Sequence, residues 1–280
     1  MTVKTATKKQ EPATEVATMA QGTGTAVAVP EIDFAEDRGN DFTAKDLSIP
    51  FLRILQAMSP QVKKREGSYV RGAEPGMFYN TATGALYSGE DGVLFVPACY
   101  ERRITEWKPR AAGGGLVKDH GTNEAVLAHT QRNDMGRDVL PSGNEIVTAG
   151  MYYGYVIDKG DVAPAVLSLS GTQLKKARKW NNVIDALRVA DPKNPSARFN
   201  PAMFYSCFKL TTVSESNDKG SWFGLAVTRH GNTMDLPNGA DIYLQARDLR
   251  KSVKEGAVRA AVDNPEAAQE AVAGGDDIPF

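Results

Sequence analysis

Three stretches of this 280-residue chain set cations beside aromatic rings. In YERRITEWKPR, residues 100–110, Arg102, Arg103, Lys108 and Arg110 bracket Trp107, and on a strand Arg103 and Trp107 would share a face with Thr105 between them. In LKKARKW, residues 174–180, Lys175, Lys176, Arg178 and Lys179 run up to Trp180. A hairpin further on adds Tyr205, Lys209, Trp222 and Arg229. Cations that track phosphates and ring faces that stack on unpaired bases, each stack worth about 1–3 kcal/mol, are what sequence-tolerant binding of a nucleic acid single strand requires. Taken singly the same residues read otherwise. A lone tryptophan is more often a core side chain, and a lysine-rich helix face is more often only solvated. Phe204 and Phe208 alternate as core residues do.

To hold such residues on one surface the chain needs a framework, and its composition allows one. With 41% hydrophobic residues it can bury the core of one sizeable domain or two small ones. The formal net charge of -1 hides an uneven distribution. Residues 1–44 carry four Lys/Arg against seven Asp/Glu, and residues 260–280 carry five Asp/Glu and no Lys or Arg. The stretch between has a surplus of seven cations, compatible with a polyanionic partner and equally with many enzymes. Cys99 and Cys207 each sit in an apolar strand-like run, which reads as small buried hydrophobes in a reducing compartment. MTVKTATKKQEPATEV lacks the apolar core of a secretory signal, and no stretch approaches the roughly 20 apolar residues of a membrane span. A cytoplasmic protein without a membrane partner is expected.

Residues 1–44 have no apolar period and read as a disordered N-terminal arm, 45–259 as a β-rich domain that binds single-stranded nucleic acid, and 260–280 as a flexible acidic tail. Order is expected from near Asp46, with FLRILQAM either helix or strand. MFYNTATGALYSG predicts a hairpin about Thr83-Gly84, and GVLFVPACYERRITEWKP one long strand. Residues 111–150, with Gly113-Gly114-Gly115 and few apolar side chains, read as a long loop or flap. MYYGYVI and AVLSLS predict strands. Behind Thr172 as a cap, a helix places Leu174, Ala177, Asn181, Ile184 and Leu187 near one face. MFYSCFKLTTVSES and SWFGLAVTR predict a hairpin through Asn217-Asp218-Lys219-Gly220, and Ile242, Ala246, Leu249 and Val253 space a last helix. The fold class expected is mostly β with one or two helices (α+β), an elaborated OB-like barrel.

The chain finishes on GGDDIPF. Phe280 offers a ring and a carboxylate close together, suited to a small apolar pocket with a basic rim. Pro279 fixes its own φ and biases Ile278 toward an extended conformation, which lowers the entropy lost on docking. Asp276 and Asp277 steer the peptide to basic surfaces. A flexible stretch from 260 to 275 would reach roughly 20–25 Å, enough to touch a partner or the basic body until a strand displaces it. DDIPF resembles the acidic C-terminal tip of bacterial single-stranded DNA-binding proteins, which recruits replication and repair enzymes through its last Phe. It is similar also to the acidic tails of replicative single-strand binders of tailed phages, and FLRILQAMSPQV and ERRITEWKPR look similar to phage and prophage proteins. The resemblance implies a phage-type single-stranded DNA-binding protein in the host cytoplasm, without a cofactor. It implies too that Asp276, Asp277, Ile278, Pro279 and Phe280 bind replication or recombination proteins, and it is compatible with a homo-oligomer. The tip match covers under a tenth of the chain. The body departs from the bacterial family in being larger, in carrying an arm in front and in lacking an extended Gly/Gln/Pro-rich linker.

Catalytic readings find little support. His120, His129 and His230 stand outside any Cys-x-x-Cys or His-x-x-x-His spacing that zinc would need. Gly113-Gly114-Gly115 is not followed by Gly-Lys-Ser/Thr, and no Gly-x-Ser-x-Gly occurs. Glu101, Glu106, Asp134 and Asp138 could serve a nuclease, but nothing in their spacing singles them out. The sequence points to a binder with no catalytic residue and no metal. The alternative is a phage interaction or virion-associated protein whose tip docks without DNA, and a recombination accessory enzyme stands third.

Overall fold

The computed structural model describes residues 48–218 and 220–261. The N-terminal arm and the residues of the acidic tip lie outside them. The first stretch left open between helix and strand is a strand: Leu52–Ile54 (β1) pairs antiparallel with Phe78–Asn80 (β2), which pairs with Leu86–Tyr87 (β3). The predicted turn forms because Asn80 Oδ1 accepts from Ala82 N and Thr83 N, at 3.0 and 3.1 Å, and Gly84 takes a φ of 71°.

The main sheet is built on the 15-residue strand Val93–Trp107 (β4). Its neighbours are Leu116–Gly121 (β5), Gln131–Arg132 (β6), Asp138–Val139 (β7), Glu145–Asp158 (β8) and Asp161–Ser170 (β9). The chain then forms the helix Leu174–Ala186 (α1), the strands Val189–Asp191 (β10) and Asn194–Phe199 (β11), the long hairpin Ser206–Asn217 (β12) and Gly220–Asn232 (β13), and the helix Gly239–Lys254 (α2). The strand order is β13-β12-β4-β8-β7-β6, with β9 on β8 and β5 on the far half of β4. The fold is mostly β with α-helices, and the sheet curls into a half-barrel. Its two margins approach through the chain on either side of β1. Val166 N donates to Pro50 O at 2.8 Å on one side. On the other, the Gln56 amide acts as a strand would, donating to Phe223 O and accepting from Phe223 N, both at 2.8 Å.

Residues 111–150 are not the structureless flap that their composition predicts. They form a lobe in which β5 pairs with β4 from Ile104 to Trp107, β7 pairs with β8, and β6 pairs with β7. Side-chain pairs brace it: Arg137 Nη1 reaches both Glu145 oxygens at 2.8 and 3.0 Å. The first four residues of β5 are exposed on both faces, so no apolar alternation marked it as a strand.

The inside of the curl is packed by Leu52, Phe78, Phe95, Tyr152, Leu167, Phe208 and Leu225, with α1 lowering Ala177 and Trp180 onto them. The opposite side of β4 packs Val96 and Ala98 against Phe204, Cys207, and Ile242 and Ala246 of α2. Cover on both sides explains the unbroken apolar run VLFVPAC, since neither face is left to water. Cys99 and Cys207 are free and buried, and burial pushes their thiols up to about 12 and about 11, leaving both protonated at neutral pH. Among the described residues no helix is long and apolar enough to cross a membrane.

Candidate functional site

The three cation-and-ring stretches meet different fates. On β4, Arg102 Nη1 donates to Glu124 Oε1 at 2.9 Å. Arg103 holds both oxygens of Asp119 through Nε and Nη2, and its Nη1 donates to Ala260 O and Ala261 O at 3.0 and 3.2 Å. Asp119 feels burial first, which raises it, but Arg103 and the Gly121 amide outweigh that and hold its carboxyl below the ordinary value. Arg103 thus fastens β5 to the end of the described chain and is not a free phosphate ligand. Trp107 is buried, with Nε1 donating to Thr105 Oγ1 at 2.8 Å, so its ring does not face a passing base. The shared face of residues 103, 105 and 107 exists, but it is covered. Lys108 and Arg110 are exposed where β4 ends.

Beside Trp107 lies a buried polar group that the sequence did not single out. Glu106 accepts from Asn144 Nδ2 at 2.6 Å through Oε1, and its Oε2 stands 2.9 Å from His120 Nε2. Asn144 foremost, with His120, holds the Glu106 carboxyl below its ordinary value against the opposing effect of burial. The arrangement joins β4, β5 and the turn before β8. It lacks a nucleophile, and among the described residues no group of His, Cys, Asp and Glu could hold a metal ion.

On α1 the picture differs. Trp180 is only 3% exposed, stacks on Tyr152 at 4.1 Å between ring centroids, and meets Phe95 and Phe208 edge-on. It is a core residue, and its assignment as a base platform is corrected. Ala177, Trp180, Asn181 and Ile184 make an i, i+3, i+4, i+7 stripe, so the helical period already placed the indole inside. Tyr152 Oη lies 2.7 Å from Asn181 Oδ1 and 2.9 Å from Ala177 O, tying the stripe to β8. Lys175, Arg178 and Lys179 fall on the opposite stripe, are exposed, and make no ion pair among the described residues. Thr172 does not cap the helix; a short 3₁₀ turn, Gly171–Gln173, precedes it and Gln173 occupies the cap position without a side-chain bond.

Lys176, on the flank of α1, turns to the β12–β13 hairpin and meets Glu215 at 2.5 Å. Trp222 Nε1 donates to Glu215 Oε2 at 2.9 Å, and Gln173 Nε2 reaches the same oxygen at 3.3 Å while its Oε1 accepts from Leu225 N. Burial raises Glu215, yet Lys176 and Trp222 together hold it below its ordinary value. Gly224 leaves the room these side chains take, since a Cβ there would meet Glu215 Oε2 and Lys176 Nζ and oblige both to shift. Lys176 and half-buried Trp222 are therefore spent on docking α1. Of the remaining hairpin residues, Lys209 is exposed, Tyr205 is half-buried, and Arg229 donates to Ser206 Oγ at 3.2 Å and Asn232 Oδ1 at 2.5 Å. Asp276, Asp277, Ile278, Pro279 and Phe280 lie outside the described residues.

Of the three cation-and-ring stretches, α1 is the one that keeps several cations together on one exposed face without a carboxylate partner among the described residues. Residues 19–259 match the family described as Pam3 phage gp34-like protein. No curated protein and no solved structure matches the chain. With the match spanning most of its length, the chain belongs to the family of Pam3 phage gp34-like proteins.

Proposed function

We propose that this phage-family protein binds single-stranded DNA without reading its sequence, coating it during replication or recombination, and that the outer stripe of α1 follows the phosphates. One observation carries the reading: Lys175, Arg178 and Lys179 share a helix face, stand in water and lack a carboxylate partner among the described residues. A helix of 13 residues is roughly 20 Å long, so a strand of a few nucleotides laid along it meets all three charges. The curled sheet is read as an elaborated OB-like barrel, which the Gln56 link between its margins supports. In the same reading residues 276–280 recruit replication or recombination proteins, on the strength of their likeness to bacterial single-strand binders, and the protein itself performs no catalysis.

The test is fluorescence anisotropy of a labelled oligo-dT titrated with the full chain at several salt concentrations. Intrinsic tryptophan quenching is a poor signal here, because Trp107 and Trp180 are buried. Binding that weakens steeply with salt, with log K falling by about 0.7 per phosphate contact on a log salt scale, and that is equal for mixed-sequence strands, is the expected result. Absence of binding at low salt, together with capture of a protein partner that depends on residues 276–280, would replace this reading with the docking protein.

A further inference from the structure

The β10–β11 hairpin is an arm with no core of its own. Its strands pair only with each other, and no residue of either is buried. Isolated two-stranded hairpins are marginal in water, so this one needs bracing from elsewhere. The bracing is at its base. Asn200 Nδ2 lies within donating reach of Ile184 O, Asp185 O and Leu187 O, at 3.1, 2.7 and 3.1 Å, its two hydrogens shared among them, fastening the end of β11 to the last turn of α1. Arg188 Nη1 donates to Asp185 O and Leu187 O. At the tip Asp191 Oδ1 accepts from Lys193 N at 2.8 Å, and Pro192 and Pro195 each fix a φ angle.

This arm presents Phe199, 45% exposed, opposite Val189 and one residue before the Asn200 anchor. Single exposed apolar side chains are ordinary on a protein surface, and Leu116, Val183 and Leu244 are as exposed, so the ring alone names no ligand. What sets Phe199 apart is its aromatic face and the charges around it. Residues 188–199 carry Arg188, Lys193 and Arg198 against Asp191 alone, and the arm starts at the end of α1, the helix that carries Lys175, Arg178 and Lys179 in its first half and exposed Asp185 in its last turn. Three cations against one carboxylate on the arm, beside an exposed ring and next along the chain to a cationic helix, suit a polyanion with planar bases better than a basic protein.

We propose that the β10–β11 arm is the base-stacking part of the interface, with Phe199 the ring on which a base of single-stranded DNA stacks, in place of the buried Trp180. This rests on the single-strand reading of α1. Its test measures labelled oligo-dT binding to full-length Phe199→Ala and Phe199→Tyr variants beside the wild type, with thermal melting as the folding control. Phe199→Ala is expected to lose roughly 5- to 100-fold in affinity with an unchanged salt slope, and Phe199→Tyr to stay within about threefold of wild type, because a phenol ring still stacks. A Phe199→Trp variant should show tryptophan emission quenched by oligo-dT beyond that of the wild type. If the wild type binds steeply with salt and Phe199→Ala binds equally well, the arm is overturned while the α1 reading stands. If the wild type does not bind at low salt, the α1 reading itself falls. If Phe199→Ala changes only the mass of the chain in sedimentation, the arm joins copies of the protein and the stacking proposal is overturned.

Discussion

Arg102 and Arg103 of β4 and Lys175, Arg178 and Lys179 of α1 look alike in sequence, each group leading up to a tryptophan, yet the fold treats them differently. On β4 both arginines meet carboxylates of the adjoining lobe, and Arg103 also holds the carbonyls of residues 260 and 261. On α1 the three cations stay in water. In both stretches the indole is buried. The difference lies in how each element is covered. The far half of β4 has β5 on one edge and β8 on the other, and its Thr105, Glu106 and Trp107 are all buried, so polar groups there must find partners within the lobe. A helix docked by one stripe leaves its opposite stripe unclaimed. A cation-and-ring motif therefore reports a surface only after its element's cover is known.

The largest effect that separates the two regions is on stability. Trp180→Ala removes the ring that joins α1 to Phe95, Tyr152 and Phe208, and is expected to cost about 3–5 kcal/mol in urea denaturation. An unchanged midpoint would mean that α1 is not docked through its indole. Next, Arg103→Ala takes the guanidinium from the Asp119 carboxylate, which keeps the Gly121 amide, and from two carbonyls, and should lower stability by about 1–3 kcal/mol and hasten proteolysis near residue 261. Arg178→Ala, by contrast, should change stability by no more than about 0.5 kcal/mol. Equal losses at the two positions would erase the distinction.

Acid sharpens the comparison further. Glu106 is held below its ordinary value of 4.5, so its contribution to folding is present above that pH and disappears as pH falls through the lower, folded-state value. The lobe should loosen in that window, seen as a change in Trp107 emission, and Glu106→Gln should remove this part of the transition. An identical acid transition in the variant would show that the lobe does not depend on this carboxylate. Arg102→Ala, which breaks an exposed pair with Glu124, should alter stability by under about 1 kcal/mol and leave oligonucleotide binding untouched.

Much of the framework was legible in the residues. The turns at Thr83-Gly84 and Asn217-Asp218, the length of β4, the strands β8 and β9 and the α2 spacing of Ile242, Ala246, Leu249 and Val253 all follow from local period and turn chemistry. The lobe of β5, β6 and β7 was not legible, because its stability comes from pairs distant in sequence such as Arg103 with Asp119 and Glu106 with Asn144. The β10–β11 arm escaped for a related reason. Its prolines and polar residues carry no alternation, and a three-residue excursion, Pro195 to Ala197, stands between the partners of Ala190 and Asp191. Trp180 was legible but misread: the ring's proximity to lysines outweighed the i, i+3, i+4 positions that place it with Ala177 and Ile184.

The most direct measurement is the salt dependence of oligo-dT affinity for three full-length proteins side by side: wild type, the α1 variant Lys175→Glu/Arg178→Glu/Lys179→Glu, and the β4 variant Arg102→Glu. Loss of three phosphate contacts should flatten the slope of log K against log salt by about 2 in the α1 variant, and the β4 variant should retain the wild-type slope. A slope that survives charge reversal on α1, or collapses with Arg102, would contradict the account.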